Sequence, residues 1–302
     1  MKLLRINFTL AMAMLLWAGN ASAAAAPKRV QKGRARTEVR AKLHSTADTI
    51  EVMSAKMGRA IKNVVIVPEV YYNRYVPNDR YPVVYLLHGA NGDYSNWPRK
   101  KNLHELADRY GVIFVCPDGQ DSWYFDSPID PKMQFETYIS SELVGYIDSH
   151  YRTKATKEMR AIAGLSMGGH GAMWVGLRHP DVFNSIGCMS GGVDITKFPE
   201  RWHIKDRLGN YDDNKELWAS HSIVNLAATV QTTQNITIDD GVNDIFYKVN
   251  NNLHKVLLDR KIAHDYTIRP GRHTWDYWCN SIDYQMVFFD KAFKAAAEKK
   301  QK

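Results

Sequence analysis

One short stretch, Gly164-Leu165-Ser166-Met167-Gly168-Gly169, limits what this chain can fold into more than any other. It stands between an apolar run, Met159 to Ala163, that reads as a buried strand, and Gly171 to Arg178, which reads as a helix stopped near His179-Pro180. Strand, G-x-S-x-G, helix is the setting in which a serine is raised on a sharp, strained turn. Gly164 and Gly168 flank Ser166 because a Cβ at either place would collide with neighbouring backbone. The plain alternative is a glycine-rich turn whose serine only caps the following helix. The flanking elements favour a nucleophile, held at the positive end of the helix.

The rest of the chain repeats the same alternation. Ile50 to Met53, Asn63 to Val67, Val83 to Leu87, Val112 to Val115, Ser185 to Met189, Ile236 to Ile238 and Tyr266 to Ile268 read as strands. Helices are expected over Asn102 to Tyr110 and Val249 to Arg260, and Phe135, Ile139, Leu143 and Ile147 mark an amphipathic helix before the serine strand. Strands alternating with helices imply an α/β fold, a mostly parallel sheet with helices on both faces. Asp194 to Thr233 is the least regular stretch and reads as an insertion over one end of the sheet. With 45% hydrophobic residues, the chain has ample material for a sizeable core, and its length fits one large α/β domain or two small ones; no second domain is marked, and the domain is assigned to residues 46–297.

The beginning of the chain reads differently. Lys2 and Arg5 precede an apolar run, Leu10 to Ala18, and Ala21-Ser22-Ala23 is a cleavage signal, so residues 1–23 read as a signal peptide and the protein as exported, periplasmic or extracellular. The run is too short for a membrane-spanning helix, so no stable membrane insertion is expected. Removing Lys2 and Arg5 lowers the formal charge of +8 by two, a modest excess for this length. Residues 24–45 form a basic leader that lacks interleaved aromatics or any nucleic-acid motif, so no nucleic-acid partner is expected. Cys116 and Cys188 lie in apolar runs and read as buried thiols, and no Cys or His cluster points to a metal.

A serine hydroxyl needs a neighbouring base to attack a carbonyl. In open α/β sheets sites collect at the carboxyl ends of strands, and in hydrolases of this layout the acid and then the histidine follow the serine. Asp239, Asp240 and Asp244 all follow the strand at Ile236 to Ile238. The first two sit where that strand is expected to end, placed to cap or turn, and Asp244 lies in the loop beyond Gly241, which favours it as the acid. Of the later histidines, His254 falls in a helix, His264 precedes the last strand, and His273 follows it in a Pro-Gly loop, which makes His273 the base. The oxyanion donors expected are the N–H groups of Met167, directly after the nucleophile, and Ala90, in the loop His88-Gly89-Ala90. His88 and His170 read as structural. Trp97, Trp123, Tyr124 and Trp275 leave strands at the same end and are candidate substrate-binding side chains.

These segments carry a resemblance. GLSMGGHGA, YLLHG, IDDGVNDIFY and GRHTWDYW are similar to the "Putative esterase" family of α/β-hydrolases, which includes esterase D, feruloyl and acetylxylan esterases and the mycolyltransferases; DSWYFDSPIDPKMQFETYISSELVGYID resembles its tributyrin-esterase members. The resemblance spans about Thr49 to Phe293 and implies an α/β-hydrolase fold without a separate lid domain, with Ser166, Asp244 and His273 at the catalytic positions and Ala90 and Met167 at the oxyanion positions. Asp240 departs from the family's pattern, which often has an apolar residue or cysteine there. The expected activity is that of a secreted serine carboxylesterase acting on short-chain or aromatic acyl esters, small or on carbohydrate, without a cofactor. The other readings are an S-formylglutathione hydrolase-type thioesterase, which export disfavours, an acyltransferase using the same residues, and a non-catalytic carbohydrate-binding protein.

Overall fold

The structure is a computed structural model that describes residues 47–301. The expected signal peptide and all of the basic leader lie outside the described residues. Eight strands form one sheet in the order β1-β2-β4-β3-β5-β6-β7-β8. They are β1 (Asp48–Ser54), β2 (Arg59–Ile66), β3 (Val83–Leu87), β4 (Ile113–Pro117), β5 (Arg160–Leu165), β6 (Ser185–Met189), β7 (Asn235–Gly241) and β8 (Asp265–Arg269). β1 and β2 are antiparallel to their neighbours, and β3 to β8 are mutually parallel. Every residue of β3, β4, β5 and β6 is buried, as continuous apolar runs require when helices cover both faces. Strand order reverses at β3, so the loops after β3 and β5 open side by side at the carboxyl end of the sheet.

Five longer helices cover the sheet: α1 (Leu103–Tyr110), α2 (residues 135–150), α3 (Met167–Arg178), α4 (Tyr247–Asp259) and α5 (Trp275–Gln301). The Asn102 side chain accepts the Glu105 N–H to start α1, and Gly111 at φ 61° ends it. α2 buries Phe135, Ile139, Leu143 and Ile147. A strict four-residue repeat drifts by about 40° per step on a 3.6-residue helix. The wide turn over Tyr138–Leu143 takes up that drift. One apolar cluster, with Tyr138, Ile162, Val175 and Leu253, fills the face under α2, α3 and α4. The other, with Leu106, Ala163, Ile282 and Phe289, fills the face under α1 and α5.

Two elements differ from expectation. β7 runs to Gly241, so Asp239 and Asp240 are buried inside the strand instead of capping its end. The long helix α5 had no counterpart in the sequence reading. Its buried residues Tyr277, Trp278, Ile282, Met286, Phe289 and Phe293 lie among polar ones at helical spacing. The stretch read as an insertion carries three short helices, Lys205–Leu208, Lys215–Ser220 and Ile223–Thr229, rooted in the core by Ile204, Leu208, Trp218 and Ile223. Cys116 and Cys188 are buried free thiols.

Candidate active site

Ser166 sits between β5 and α3 at φ 56° and ψ −119°, a left-handed conformation that costs a serine strain. The surroundings impose it. The Ser166 N–H donates to Met189 O at 2.9 Å, and its carbonyl accepts from the N–H groups of His170 and Gly192. A Cβ on Gly164 would stand 2.3 Å from Gly168 O, and one on Gly168 would stand 2.5 Å from His88 O. Both positions therefore admit only glycine, as the sequence predicts.

The Ser166 hydroxyl lies 2.9 Å from His273 Nε2, and His273 Nδ1 lies 2.9 and 3.0 Å from the two carboxylate oxygens of Asp244. The run is satisfied when Nδ1–H donates to Asp244 and Nε2 accepts from Ser166, which fixes the neutral tautomer a base requires. Asp244 is wholly buried and also accepts the Phe246 N–H at 2.8 Å. The loops carrying acid and base are tied by Val242 N–H to Arg269 O and Asn243 N–H to Gly271 O. A Cβ on Gly241 would stand 2.7 Å from the Gly271 backbone, so the two loops touch chain to chain. The imidazole is held edge-on between Phe246 and Trp278, with centroids 5.1 and 4.8 Å away.

The loop after β3 is pinned by His88, which is 1% exposed. Its Nε2 accepts the Gly119 N–H at 2.8 Å and its Nδ1–H donates to Gly89 O at 2.8 Å, a pattern only the neutral ring can make. A Cβ on Gly89 would meet Leu165 Cδ1 at 2.7 Å and Ser166 Cβ at 3.3 Å, so this loop lies directly against the serine. Ala90 follows Gly89, and Met167 is the first residue of α3, where N–H groups have no partner within the helix. Ala90 lines the same cavity as Ser166, and Met167 follows Ser166 directly at the start of α3.

A cavity of about 450 Å³ opens over Ser166, with Ala90, His273, Trp202, Trp275 and Trp278 in its wall. A larger groove of about 580 Å³ surrounds Tyr72 and Tyr75, but its lining lacks a nucleophile with a base, so the smaller cavity is the candidate site. The aromatic expectation needs correction here. Only Trp275 of the four lines the cavity. Trp97 and Trp123 are each 1% exposed and Tyr124 is fully buried. Their polar atoms are spent on backbone carbonyls: Trp97 on Leu87, Trp123 on Trp202, and Tyr124 on His88. They form the layer behind the wall. Trp97 packs edge-on against Trp275, and Trp123 holds the Trp202 carbonyl. Trp202 and Trp278 were missed, the first because it lies in the irregular segment where no periodicity reports on facing.

Asp239 points to the opposite face of the sheet, where it pairs with Arg269 and accepts from the Tyr277 hydroxyl at 2.5 Å and the Ser281 hydroxyl at 3.1 Å. His170 is buried, with Nε2–H donating to His221 O, and burial pushes its pKa down to about 3. Among the described residues no set of three or more His, Cys, Asp or Glu side chains is placed to hold a metal ion.

The sequence matches the family profile described as "Putative esterase" over residues 54–289. An acetyl esterase of Caldicellulosiruptor saccharolyticus is 27% identical over 224 residues, covering 70% of this chain and 84% of that protein. Among solved structures, a ferulic acid esterase superposes with a TM-score of 0.73 at 24% identity, covering 83% of this chain and all of the other. An S-formylglutathione hydrolase of Staphylococcus aureus superposes with a TM-score of 0.71 at 19% identity, covering 82% and 99% of the two chains. The sheet, its helices and these neighbours establish the α/β-hydrolase fold.

Proposed function

This chain belongs to the "Putative esterase" family and is a carboxylic ester hydrolase, and from that premise we propose that it is an exported serine esterase working through Ser166, His273 and Asp244 on short-chain or aromatic acyl esters. The observation that carries the reading is the unbroken hydrogen-bonded run from Asp244 through His273 to Ser166 at the floor of a tryptophan-walled cavity. Ser166 Oγ attacks the ester carbonyl carbon while its proton passes to His273 Nε2. The imidazolium is stabilised by Asp244, and the tetrahedral oxyanion accepts from the N–H groups of Ala90 and Met167. His273 then gives its proton to the departing alcohol, leaving an acyl-serine. Water deprotonated by His273 attacks the acyl carbon, and collapse frees the acid and restores the serine.

Trp202 on one segment and Trp275 and Trp278 on another give the cavity flat apolar faces, beside the polar side chains of Asn91, Asn96 and Thr274. Such walls suit a planar or short acyl group, carried on a small alcohol or on a carbohydrate, better than a long flexible chain. Export is read from residues 1–23. The test is kcat/KM on acetyl, butyryl, feruloyl and palmitoyl esters, for wild type and Trp202→Ala. We expect the acetyl or feruloyl ester to be fastest, and Trp202→Ala to lower the feruloyl value by roughly tenfold, the size of a lost aromatic contact. Fastest turnover of the palmitoyl ester, or an unchanged profile in the variant, would overturn the assignment of the walls.

A further inference from the structure

Asp240 is the side chain in this part of the molecule that the mechanism leaves unused. It is fully buried, it sits four residues before Asp244, and it has no ion-pair partner among the described residues. Its Oδ1 accepts the N–H of Gly241, the first residue of the loop that presents Asp244. Its Oδ2 and two other buried oxygens near it, the Ser190 and Tyr266 hydroxyls, make no well-aligned hydrogen bond, although the Ser190 hydroxyl stands close enough to ease ionisation of Asp240. The ladder brings these three together: Ser190 extends β6 one residue past the Met189–Asp239 pair, and Tyr266 pairs with Ile238 on the face Asp240 shares.

The groups that face Asp240 offer it no positive charge. β6 and its extension contribute Cys188 and Ser190, the loop after β7 contributes Asp244, and β8 contributes Tyr266. Helix α4 supplies Asn250, which bonds Gly191 O, with Tyr247 and His254 beside Tyr266. The cation of this region, Arg269, is taken by Asp239 on the other face. A carboxyl in such a place ionises only against the loss of its hydration and the charge of Asp244. Both effects push its pKa up, to about 8.

We propose that Asp240 carries its proton through the neutral range, leaving Asp244 as the single negative charge behind His273, and that Asp240 is a positioning residue whose later ionisation adds a second step to turnover. The proposal rests on the reading of Asp244 and His273 as acid and base. When Asp240 gives its proton to solvent, a second negative charge appears on the Asp244 side of His273. That charge favours the imidazolium formed in the transition state more than it opposes the more distant oxyanion.

The test has two readouts on the full chain. The first is independent of turnover: the infrared carbonyl band of a protonated carboxylic acid, in protein carrying ¹³C-labelled aspartate, compared between wild type and Asp240→Asn. We expect the band at pH 7 in wild type, its loss on titration through about 8, and its absence from the variant. The second is kcat/KM against pH. Wild type should rise again above about pH 8 by up to about tenfold, the effect of one unit of coupling. Asp240→Asn should keep a single ionisation. Ser190→Ala removes a hydroxyl that eases ionisation and should move both the band's loss and the second rise to higher pH. No carboxylic acid band attributable to Asp240 at pH 7, or matching alkaline limbs in wild type and Asp240→Asn, would overturn the proposal. Were the base assigned wrongly, His273→Ala would keep the turnover of wild type whatever the Asp240 band does, so the two failures are distinguishable.

Discussion

Ser166 carries information in its backbone as well as its hydroxyl. At φ 56° it holds a conformation suited to glycine, and Gly164, Gly168 and Gly89 are the clearances that make the conformation possible. Ser166→Gly and Ser166→Ala both remove the hydroxyl, but only glycine relieves the strain. We expect both to lose ester turnover, and Ser166→Gly to be more stable to urea than Ser166→Ala by about 1 kcal/mol. Equal stabilities would mean that the turn is not strained. The glycines made this residue legible in the sequence, since each registers a collision with a particular backbone atom. The tryptophans were not legible in the same way. A ring leaving a strand at the right end can face the cavity, as Trp275 does, or stand one layer behind it, as Trp97 and Trp123 do. One-dimensional spacing carries no depth.

At the scale of elements, helix α3 is buried almost throughout, from Met167 to Leu177, and its single imidazole is packed with the rest. His170 is neutral in the fold, its pKa pushed down to about 3 by burial. An unfolded chain binds a proton to this ring below about pH 6.5, whereas the folded one does not until far lower. The sign follows: stability is fully present above about pH 6.5 and is lost as pH falls, by up to about 1.4 kcal/mol per unit from this group. His170→Gln keeps a donor for His221 O and removes the titration. Urea midpoints of wild type and His170→Gln, compared at pH 7 and pH 5, should converge or cross as pH falls. A constant gap would show that His170 does not titrate between the two states. The same helix was expected from its apolar run, but its start was placed late, at Gly171, because glycines at 168, 169 and 171 break the periodic signal. Those glycines serve contact: a Cβ on Gly169 would stand 2.9 Å from Gly191, and one on Gly171 would enter the Tyr124 ring.

At the scale of the molecule, the α/β class was legible because β3 to β6 are covered on both faces and so read as mainly apolar runs. β8 is a sheet edge whose residues are only half-buried, and the sequence marked just its centre. Helix α5 escaped notice although it closes one face of the sheet and supplies both Trp275 and Trp278 to the cavity wall. The order of serine, acid and histidine along the chain was readable because each ends or follows a strand. That Asp244 and not Asp239 or Asp240 reaches His273 depends on where β7 stops, which is a property of pairing with β8. In the proposed mechanism Ser166 is the residue that takes the acyl group. Its most direct test is labelling of the full chain with a fluorophosphonate, followed by peptide mapping, in wild type, Ser166→Ala and His273→Ala. We expect a single adduct on Ser166, none in Ser166→Ala, and labelling slowed by orders of magnitude in His273→Ala. An adduct on another serine, or undiminished ester hydrolysis by Ser166→Ala, would contradict that mechanism.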